Sequence, residues 1–437
     1  MTTTALLPLA SDAYAAATAT LNTRIRHTPA AVVSATTEIE LAAAVRSAAE
    51  RGLRVAVRST GHGLWPIQDD TVLIDVSAMD TITIDPATRS ATVGPGARWK
   101  DILALAAGHG LGGLAGSSPT VGAVGFHLGG GLGPISRAYG YAADHVQSLR
   151  AVTADGTIIE VSAHQNPDLF WAMRGGGALA IVTSLTFALV PGRLRGGGVY
   201  FRADDAQKVL HRWRDWAEGL PDEVSTSAAV IDLPPLGHIP EPIRGQRVLH
   251  LRYADVGESH ADPAVLSFGT PVWGGIDELS FDRLGEIHAE PTNAKPTIQD
   301  SALLHGLSPE TLESFIESSL DDSLGLTVRE LRLLGGAMSA PQRSADAVAA
   351  RDAGYLLFAL GDTPPQREEV VSRGLDRFLS ATVPPHAPAR VLASFAGEGR
   401  PGGRIEQAWD ADTLDRLRAI RSAVDPQGTF APNLRWV

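Results

Sequence analysis

A short stretch near the amino end of the chain limits its fold and chemistry more than any other. It reads Val55-Ala56-Val57-Arg58-Ser59-Thr60-Gly61-His62-Gly63-Leu64. The β-branched run predicts a strand, and the glycines predict a turn that can take positive φ or approach a ligand closely. Backbone N–H groups in such a turn suit an anionic ligand while His62 is held at a fixed point. The competing interpretation of His62 is a structural core histidine.

A second glycine-rich stretch favours the ligand-binding interpretation of the first. It runs from Gly116 to Gly133 and reads GSSPTVGAVGFHLGGGLG. The stretch lacks the Gly-Lys-Ser/Thr end of a P-loop, and Pro134 stands where a G-x-G-x-x-G motif needs its last glycine. Nucleotide triphosphate hydrolysis and a Rossmann site are therefore disfavoured. Apolar residues within the stretch argue against a mobile linker.

Length, charge and cysteine content narrow the class of protein. The chain has 437 residues, enough for two or more domains, and a net charge of −12 with no long basic run. We therefore expect no nucleic-acid or anionic-membrane partner. Because there is no cysteine, disulfides and thiolate metal sites are excluded, and we predict no metal site. With neither a secretory signal nor a long apolar run, we expect a cytoplasmic protein, whose oligomeric state is not predicted.

The periodicity of the remaining chain predicts an α+β protein. Thr37–Gly52 and Trp99–Ala107 have the spacing of helices, and Ala154-Asp155-Gly156-Thr157 predicts a hairpin turn. Pro191 and the Gly196–Gly198 run predict a boundary. Beyond it, strands and helices without βαβ repeats predict an antiparallel sheet covered by helices.

The two glycine-rich stretches together resemble those of FAD-linked oxidases of the vanillyl-alcohol oxidase superfamily, in particular the berberine-bridge-enzyme-like and 6-hydroxy-D-nicotine-oxidase-like group. Arg58–His62 is similar to the family's Arg-Ser-Gly-Gly-His, whose histidine bonds covalently to the flavin 8α-methyl group. Gly116–Gly122 resembles the loop that wraps the isoalloxazine and the pyrophosphate. Asp425-Pro426, with Phe430 and Asn433, matches the C-terminal signature.

The resemblance implies a two-part, PCMH-type FAD-binding domain followed by a substrate domain with an antiparallel sheet covered by helices. The implied division is residues 1–195 for FAD, 196–395 for substrate, and 396–437 for a return to the FAD-binding domain. The implied cofactor is FAD with a single covalent link to His62. The implied cofactor-binding residues are His62, Arg58, Ser59, Thr60, Gly61, Gly63, Gly116, Ser117, Ser118, Thr120, Val121, Gly122, Gly125, Phe126, Gly130, Gly131, Ile181, Val182 and Asn433.

Departures from the family pattern concern the cofactor's second attachment and its polar contacts. Many relatives also attach flavin through a cysteine in the second loop, and Ser118 stands there in this chain. The relatives' histidine before the glycine triplet aligns with Phe126, and an extended backbone would point His127 to the other face. The family's Asn-Phe-Gly is replaced by Ala178-Leu179-Ala180.

The sharpest departure concerns the catalytic base. Relatives carry a Tyr-x-Asn-Phe-like segment whose tyrosine can serve as base, and this chain has Leu392-Ala393-Ser394-Phe395. The base is therefore unassigned. Substitute candidates are Tyr253, Glu330 and Arg332, each of which can instead be a solvated or sheet-packing residue.

The resemblance implies hydride removal from a C–H bond next to oxygen or nitrogen of a small organic substrate, with O2 as acceptor and H2O2 as product. Val121 stands where O2-using relatives have a small apolar residue. Two alternatives stay open: a flavin-containing cyclase or rearrangement enzyme without net oxidation, and a non-catalytic flavoprotein. Sugars and secondary metabolites are among the expected substrate classes.

Overall fold

The structure is a computed structural model that describes residues 6–7, 11–63, 65–258, 263–341, 343–385, 390–397 and 404–431. Its strands are β1 (Leu6–Leu7), β2 (Ala31–Ser34), β3 (Arg54–Arg58), β4 (Thr71–Asp75), β5 (Ile82–Asp85), β6 (Ser90–Val93), β7 (Leu111–Gly112), β8 (Val146–Val152), β9 (Ile158–Ser162), β10 (Ile181–Ala188), β11 (Val190–Pro191), β12 (Leu194–Arg202), β13 (Val224–Asp232), β14 (Arg247–Asp255), β15 (Trp273–Leu279), β16 (Thr297–Leu304), β17 (Val328–Leu333) and β18 (Tyr355–Asp362).

The α-helices follow the apolar spacing of the sequence. They are α1 (Asp12–Thr18), α2 (Glu38–Glu50), α3 (Trp99–Ala107), α4 (Ala123–Leu128), α5 (Ser136–Tyr139), α6 (Pro167–Ala172), α7 (Ala206–Ala217), α8 (Pro309–Leu320), α9 (Glu368–Thr382) and α10 (Ala411–Val424). Thr37 caps α2 by accepting from the N–H of Glu40, and Gly52 follows its end with φ of 67°. Within the described ranges, no helix has the length and apolar character needed to cross a membrane.

The first half of the chain forms two main sheets. A four-stranded sheet has the order β1-β2-β4-β3, with β2, β4 and β3 parallel to one another. A five-stranded antiparallel sheet has the order β5-β6-β10-β8-β9. The hairpin predicted around Ala154–Thr157 is confirmed, because it joins β8 to β9. Helix α3 and the second glycine-rich stretch pack in the largest core, against the five-stranded sheet.

The second half of the chain is built on one antiparallel sheet of seven strands. Its order is β15-β12-β14-β13-β17-β18-β16. Helices α7, α8 and α9 cover one face, where Trp213, Phe315 and Phe378 are fully buried among the apolar side chains of the strands. The predicted antiparallel sheet covered by helices is therefore confirmed. The opposite face is turned toward the second glycine-rich stretch.

The Gly196–Gly198 run, at which the sequence predicts a boundary, lies inside strand β12, between β14 and β15. The run tolerates no side chain because its neighbours occupy the space. A Cβ at Gly198 would lie 1.9 Å from Nε2 of His250, and one at Gly196 would lie 3.0 Å from Ile287. These glycines therefore make room for side chains on the sheet face and do not form a flexible connection.

His127 lies in helical backbone, in α4, so the extended conformation considered from the sequence is wrong. Its Nδ1 donates to the carbonyl oxygen of Ala123 at 2.8 Å. The ring stacks on Trp99 and lies 4.4 Å from the ring of Phe187, between centroids. Burial lowers the pKa of His127 to about 4, with a smaller contribution from His145. His127 is therefore a neutral core residue.

Substitution of Gly198 tests the close approach of His250. We expect Gly198→Ala to destabilise the fold by about 1–3 kcal/mol, because overpacking forces neighbours to move. The matched control is Gly275→Ala on the paired strand β15, where a Cβ would meet nothing within 4 Å. Urea unfolding of both variants checks the prediction. Equal stabilities of the two variants would contradict the packing described for β12.

Burial of neutral His127 makes stability depend on pH. Its ordinary pKa near 6.5 applies to the unfolded chain, and the folded value is about 4. As pH falls from 6.5 to 4 the unfolded chain gains a proton that the folded chain does not, so the free energy of unfolding falls. We expect His127→Leu to reduce this pH-dependent loss by up to about 3 kcal/mol, measured by unfolding at several pH values. The exposed His164→Leu control should leave the loss unchanged, and no difference between the variants would contradict the prediction.

Candidate functional site

Strand β3 carries the first glycine-rich turn at the edge of the four-stranded sheet. The strand ends at Arg58, and Gly61 and Gly63 then adopt φ of 80° and 62°. A Cβ at Gly61 would also lie 3.0 Å from the carbonyl oxygen of Ala19. The turn needs glycine at these positions because other residues are strained there. It holds His62 between two left-handed glycines.

His62 joins the two glycine-rich stretches. Its Nδ1 lies 3.0 Å from Oγ1 of Thr60, and its Nε2 lies 3.5 Å from Oγ1 of Thr120. The Thr120 hydroxyl is in turn 3.1 Å from Oγ of Ser118. Burial, with the positive charge of Arg98, lowers the pKa of His62 to about 4. The imidazole is therefore neutral near pH 7 and keeps a nitrogen lone pair.

Helix α3 holds the second glycine-rich stretch in place. The N–H of Trp99, at the start of α3, donates to the carbonyl oxygen of Val121 at 3.1 Å. On the other side, a Cβ at Gly122 would lie 3.1 Å from Oγ of Ser59. The second stretch is therefore fixed between α3 and the first turn, and glycine at position 122 permits the close approach.

Two buried polar atoms of the first turn are left without a hydrogen-bond partner among the described residues. They are Nε of Arg58 and Oγ of Ser59. The Arg58 guanidinium is anchored by Asp75, with Nη1 and Oδ2 3.6 Å apart. Buried polar groups are costly when unpaired, so these atoms suit a ligand that brings its own polar atoms. The set fits FAD, whose diphosphate and flavin ring carry such atoms and need glycine-lined backbone for close approach.

Other glycines predicted to contact the cofactor have different surroundings. A Cβ at Gly116 would lie 2.9 Å from the Phe126 ring, and one at Gly131 would lie 2.7 Å from it. These two glycines make room for an aromatic side chain. Gly125 faces open space, whereas Gly130 turns the chain with φ of 97°.

The carboxyl-terminal signature returns to the first sheet. Asp425 accepts hydrogen bonds from the N–H groups of Thr429 and Phe430 at 2.7 and 2.9 Å. Phe430 packs in the same core as Ile181, whereas Val182 packs in the larger core next to it. The predicted contact residue Asn433 lies outside the described residues.

A cavity opens beside the glycine triplet, and we call it the triplet cavity. Gly130 and Gly131 line one side, and Val348, Leu392 and Trp409 line another. Leu392 stands where the family resemblance implies a tyrosine. This position therefore contributes an apolar side chain to the wall.

The three candidate bases lie on two opposite faces of the seven-stranded sheet. Tyr253 packs in the core beneath α7, and its hydroxyl donates to Oδ2 of Asp255 at 3.0 Å. Glu330 and Arg332 alternate along β17 with Leu331, which belongs to that core. Because strand side chains alternate between faces, Glu330 and Arg332 project from the opposite face of the sheet.

Glu330 is a poor candidate for the base. Its carboxylate accepts from Nε of Arg332 at 3.0 Å and pairs with Nη1 of Arg252 at 3.0 Å. Burial acts to raise the pKa of Glu330, but Arg332 and Arg252 outweigh it and hold the pKa well below its ordinary value. A carboxylate stabilised in this way has little affinity for a proton.

Sequence reasoning missed three polar residues on this face: His250, Arg252 and His288. His250 and Arg252 alternate with leucines in β14, a period-two pattern that marks a polar sheet face and could have identified them. His288 follows the 3₁₀-helix Phe281–Ile287 and carries no local signal. Across the described ranges, His, Asp and Glu side chains form no group of three or more that could hold a metal ion.

Comparison with known proteins agrees with this geometry. Residues 29–162 match the model of the FAD binding domain family. A xylooligosaccharide oxidase of Thermothelomyces thermophilus is 33% identical over 217 residues, which cover 47% of this chain and 44% of that protein. An (R)-6-hydroxynicotine oxidase of Paenarthrobacter nicotinovorans is 37% identical over 153 residues, 34% of this chain and 33% of that protein. Each match thus spans less than half the length of the relative.

Solved structures extend the likeness in fold to nearly the whole chain. The BBE-like 1 protein of Physcomitrella patens has a TM-score of 0.85 at 21% identity, covering 99% of this chain and 97% of the other. The glucooligosaccharide oxidase of Acremonium strictum, with its 6-S-cysteinyl, 8α-N1-histidyl FAD, has a TM-score of 0.80 at 21% identity, covering 99% and 96%. Residues 29–162 therefore belong to the FAD binding domain family, in a chain with the fold of BBE-like and oligosaccharide oxidases.

Proposed function

We propose that this chain is an FAD-dependent oxidase that takes a hydride from a C–H bond next to oxygen or nitrogen of a small organic substrate. The electrons pass to O2, which leaves as H2O2. The observation that carries the proposal is neutral, half-buried His62 at the contact of two glycine-rich stretches, beside atoms of Arg58 and Ser59 that no other described residue pairs. Relatives named for a xylooligosaccharide and a hydroxynicotine support sugars and secondary metabolites as substrate classes.

Bound FAD supplies the redox chemistry by accepting two electrons from the substrate and passing them to the acceptor. The chain's own residues hold and orient it. Arg58 and Ser59 offer polar atoms that no other described group satisfies. Gly61 and Gly122 allow the backbone to come close, because a side chain at either position would meet a neighbour at 3.0–3.1 Å.

His62 is the proposed point of covalent attachment to the flavin 8α carbon. Its ring is neutral, and hydroxyls of Thr60 and Thr120 lie within 3.5 Å of its two nitrogens, which fixes the ring plane. The chain has no cysteine, and Ser118 stands at the second-loop position. The proposed link is therefore single, unlike the double link of the Acremonium strictum oxidase.

The substrate is proposed to lie between the glycine-rich stretches and the seven-stranded sheet. This placement follows the proposed division into residues 1–195, 196–395 and 396–437, and it is supported by a cavity that Leu132 lines together with Arg252 and Arg332 of the sheet. Glu330 is ion-paired with Arg252 and Arg332, and the Leu392 side chain carries no proton acceptor. Hydride removal in this proposal therefore does not depend on either residue as a base.

A flavin-containing cyclase or rearrangement enzyme is the second candidate. The apolar wall of the triplet cavity favours it, since Leu132, Val348 and Leu392 suit a hydrophobic intermediate. The two candidates share the flavin site and differ in whether electrons leave the substrate.

Replacement of His62 tests the covalent attachment. We expect wild-type protein precipitated with acid to keep its yellow colour in the pellet, and His62→Ala to release all flavin into the supernatant. His164→Ala, which alters an exposed histidine, should behave as wild type. A yellow His62→Ala pellet, or a colourless wild-type pellet, would contradict the attachment.

Anaerobic mixing distinguishes the two candidate reactions. A screen of alcohols, sugars and cyclic amines for conversion to product, read by mass spectrometry together with H2O2 release, identifies a turned-over compound. We then expect that compound to bleach the flavin band near ~450 nm without air, because its electrons have nowhere else to go. Readmitted O2 should restore the band with one H2O2 per product. Product formed without bleaching would favour the cyclase.

A further inference from the structure

A second cavity lies between the seven-stranded sheet and the segment that follows the glycine triplet; we call it the sheet cavity. Arg252 and Arg332 line it from β14 and β17, and His288 lines it from the end of the 3₁₀-helix. Leu132 lines both the sheet cavity and the triplet cavity. The sheet cavity therefore borders the glycine-rich stretch assigned to the cofactor.

The charges around the sheet cavity do not balance. Glu330 is shared by two arginines, with Oε2 at 3.0 Å from Nη1 of Arg252 and Oε1 at 3.0 Å from Nε of Arg332. All three side chains are at most 8% exposed. One carboxylate against two guanidiniums leaves a buried excess of one positive charge, which is costly without a compensating anion.

The histidines of this face do not supply negative charge, and they add no positive charge near pH 7. His288 Nε2 lies 4.0 Å from Oε1 of Glu330. The Arg252 Nε donates to Nδ1 of His250 at 3.3 Å, and the His250 ring stacks on Tyr200. Burial and the neighbouring arginines place the pKa of each histidine well below its ordinary value.

Hydrogen-bonding capacity is also left over around the sheet cavity. Nη1 of Arg332 and both ring nitrogens of His288 are buried and have no hydrogen-bond partner among the described residues. Arg137 lines the same cavity but is occupied, because its guanidinium donates to the carbonyl oxygens of Val224 and Leu334. The unmet capacity therefore belongs to Arg332 and His288, together with Oγ of Ser225, which lines the same cavity.

We propose that the sheet cavity binds a carboxylate group of the substrate, with Arg332 as the binding residue and His288 as a second donor. Glu330 is then a positioning residue that holds both guanidiniums in place. Arginine suits this task because its planar fork matches the two oxygens of a carboxylate. This inference rests on the proposed function, since it defines the substrate class as small organic acids.

Titration of the flavin-containing protein with benzoate, and with neutral benzamide as the matched probe, tests the proposal by calorimetry at constant ionic strength. We expect benzoate to bind and benzamide to bind at least about tenfold more weakly, the ratio expected for one charge-assisted hydrogen bond. Absence of benzoate binding, or equal binding of the two probes, would overturn the proposal.

Arg332→Met is the diagnostic variant because it removes the excess charge and leaves Glu330 paired with Arg252. We expect it to fold and to lose benzoate binding by about tenfold or more. The same change at exposed Arg377 should leave binding unchanged. If Arg332→Met does not fold, Arg332→Lys is the alternative. It keeps the positive charge but lacks the planar guanidinium, and it should still weaken the binding of benzoate several-fold. Unchanged benzoate affinity in the Arg332 variant that folds would overturn the proposal.

Binding and turnover are separated in this experiment. The titration measures heat of association and requires no reaction, so it can fail while His62 still carries flavin and substrates are still oxidised. Conversely, colourless acid-treated protein would contradict the proposed covalent attachment while leaving benzoate binding intact.

Discussion

The contact between the turn at residues 58–63 and the loop at residues 116–122 is the constraint on which the rest of the site depends. It is made where Gly122 approaches the Ser59 hydroxyl and where Thr120 approaches His62. The two stretches are far apart in sequence. The turn is fixed by the pairing of β3 with β4, and the loop is fixed by the hydrogen bond from the N–H of Trp99 in α3 to the carbonyl oxygen of Val121. A side chain at position 122 would move the loop away from Ser59, and with it Thr120 away from His62.

The chemistry of the site is divided between two differently charged surfaces. The contact of the glycine-rich stretches presents a neutral histidine and donors that no described residue pairs, which suit a cofactor with phosphates and a polar ring. The sheet face opposite carries an excess positive charge set by Arg252, Glu330 and Arg332. Leu132 lines both the triplet cavity and the sheet cavity. Under the two proposals above, the substrate is held by its carboxylate at the sheet face while its C–H bond faces the cofactor.

Local patterns predicted the local parts of this structure. The strand before His62, the helix Trp99–Ala107 and the hairpin after β8 agree with the sequence because periodicity and turn residues decide them. The glycine run at 196–198 gave no local sign that it lies inside a strand, because the side chain that excludes a Cβ at Gly198, His250, comes from another strand. A local sequence pattern does not predict a conformation that residues distant in sequence determine.

The same reasoning explains why the charged sheet face was only partly found. Glu330 and Arg332 were candidate bases on one strand. Because Arg252 also pairs with the Glu330 carboxylate, Glu330 is a poor base and Arg332 is part of a charged cluster. That contact depends on the strand order β14-β13-β17, which brings the two strands within reach across a third. His288 enters from a 3₁₀-helix whose position depends on packing against the sheet. Tertiary register therefore decides which polar residues act together.

The most direct test of the central claim is the mass of the proteolytic peptide that begins at Ser59 and contains His62. Trypsin cleaves after Arg58, and denaturing mass spectrometry of that peptide reads any group bonded to it. We expect one FAD, or its flavin fragment, on this peptide and localised to His62, with no flavin on the peptide that contains Ser118. An unmodified His62 peptide from flavin-containing protein would contradict it.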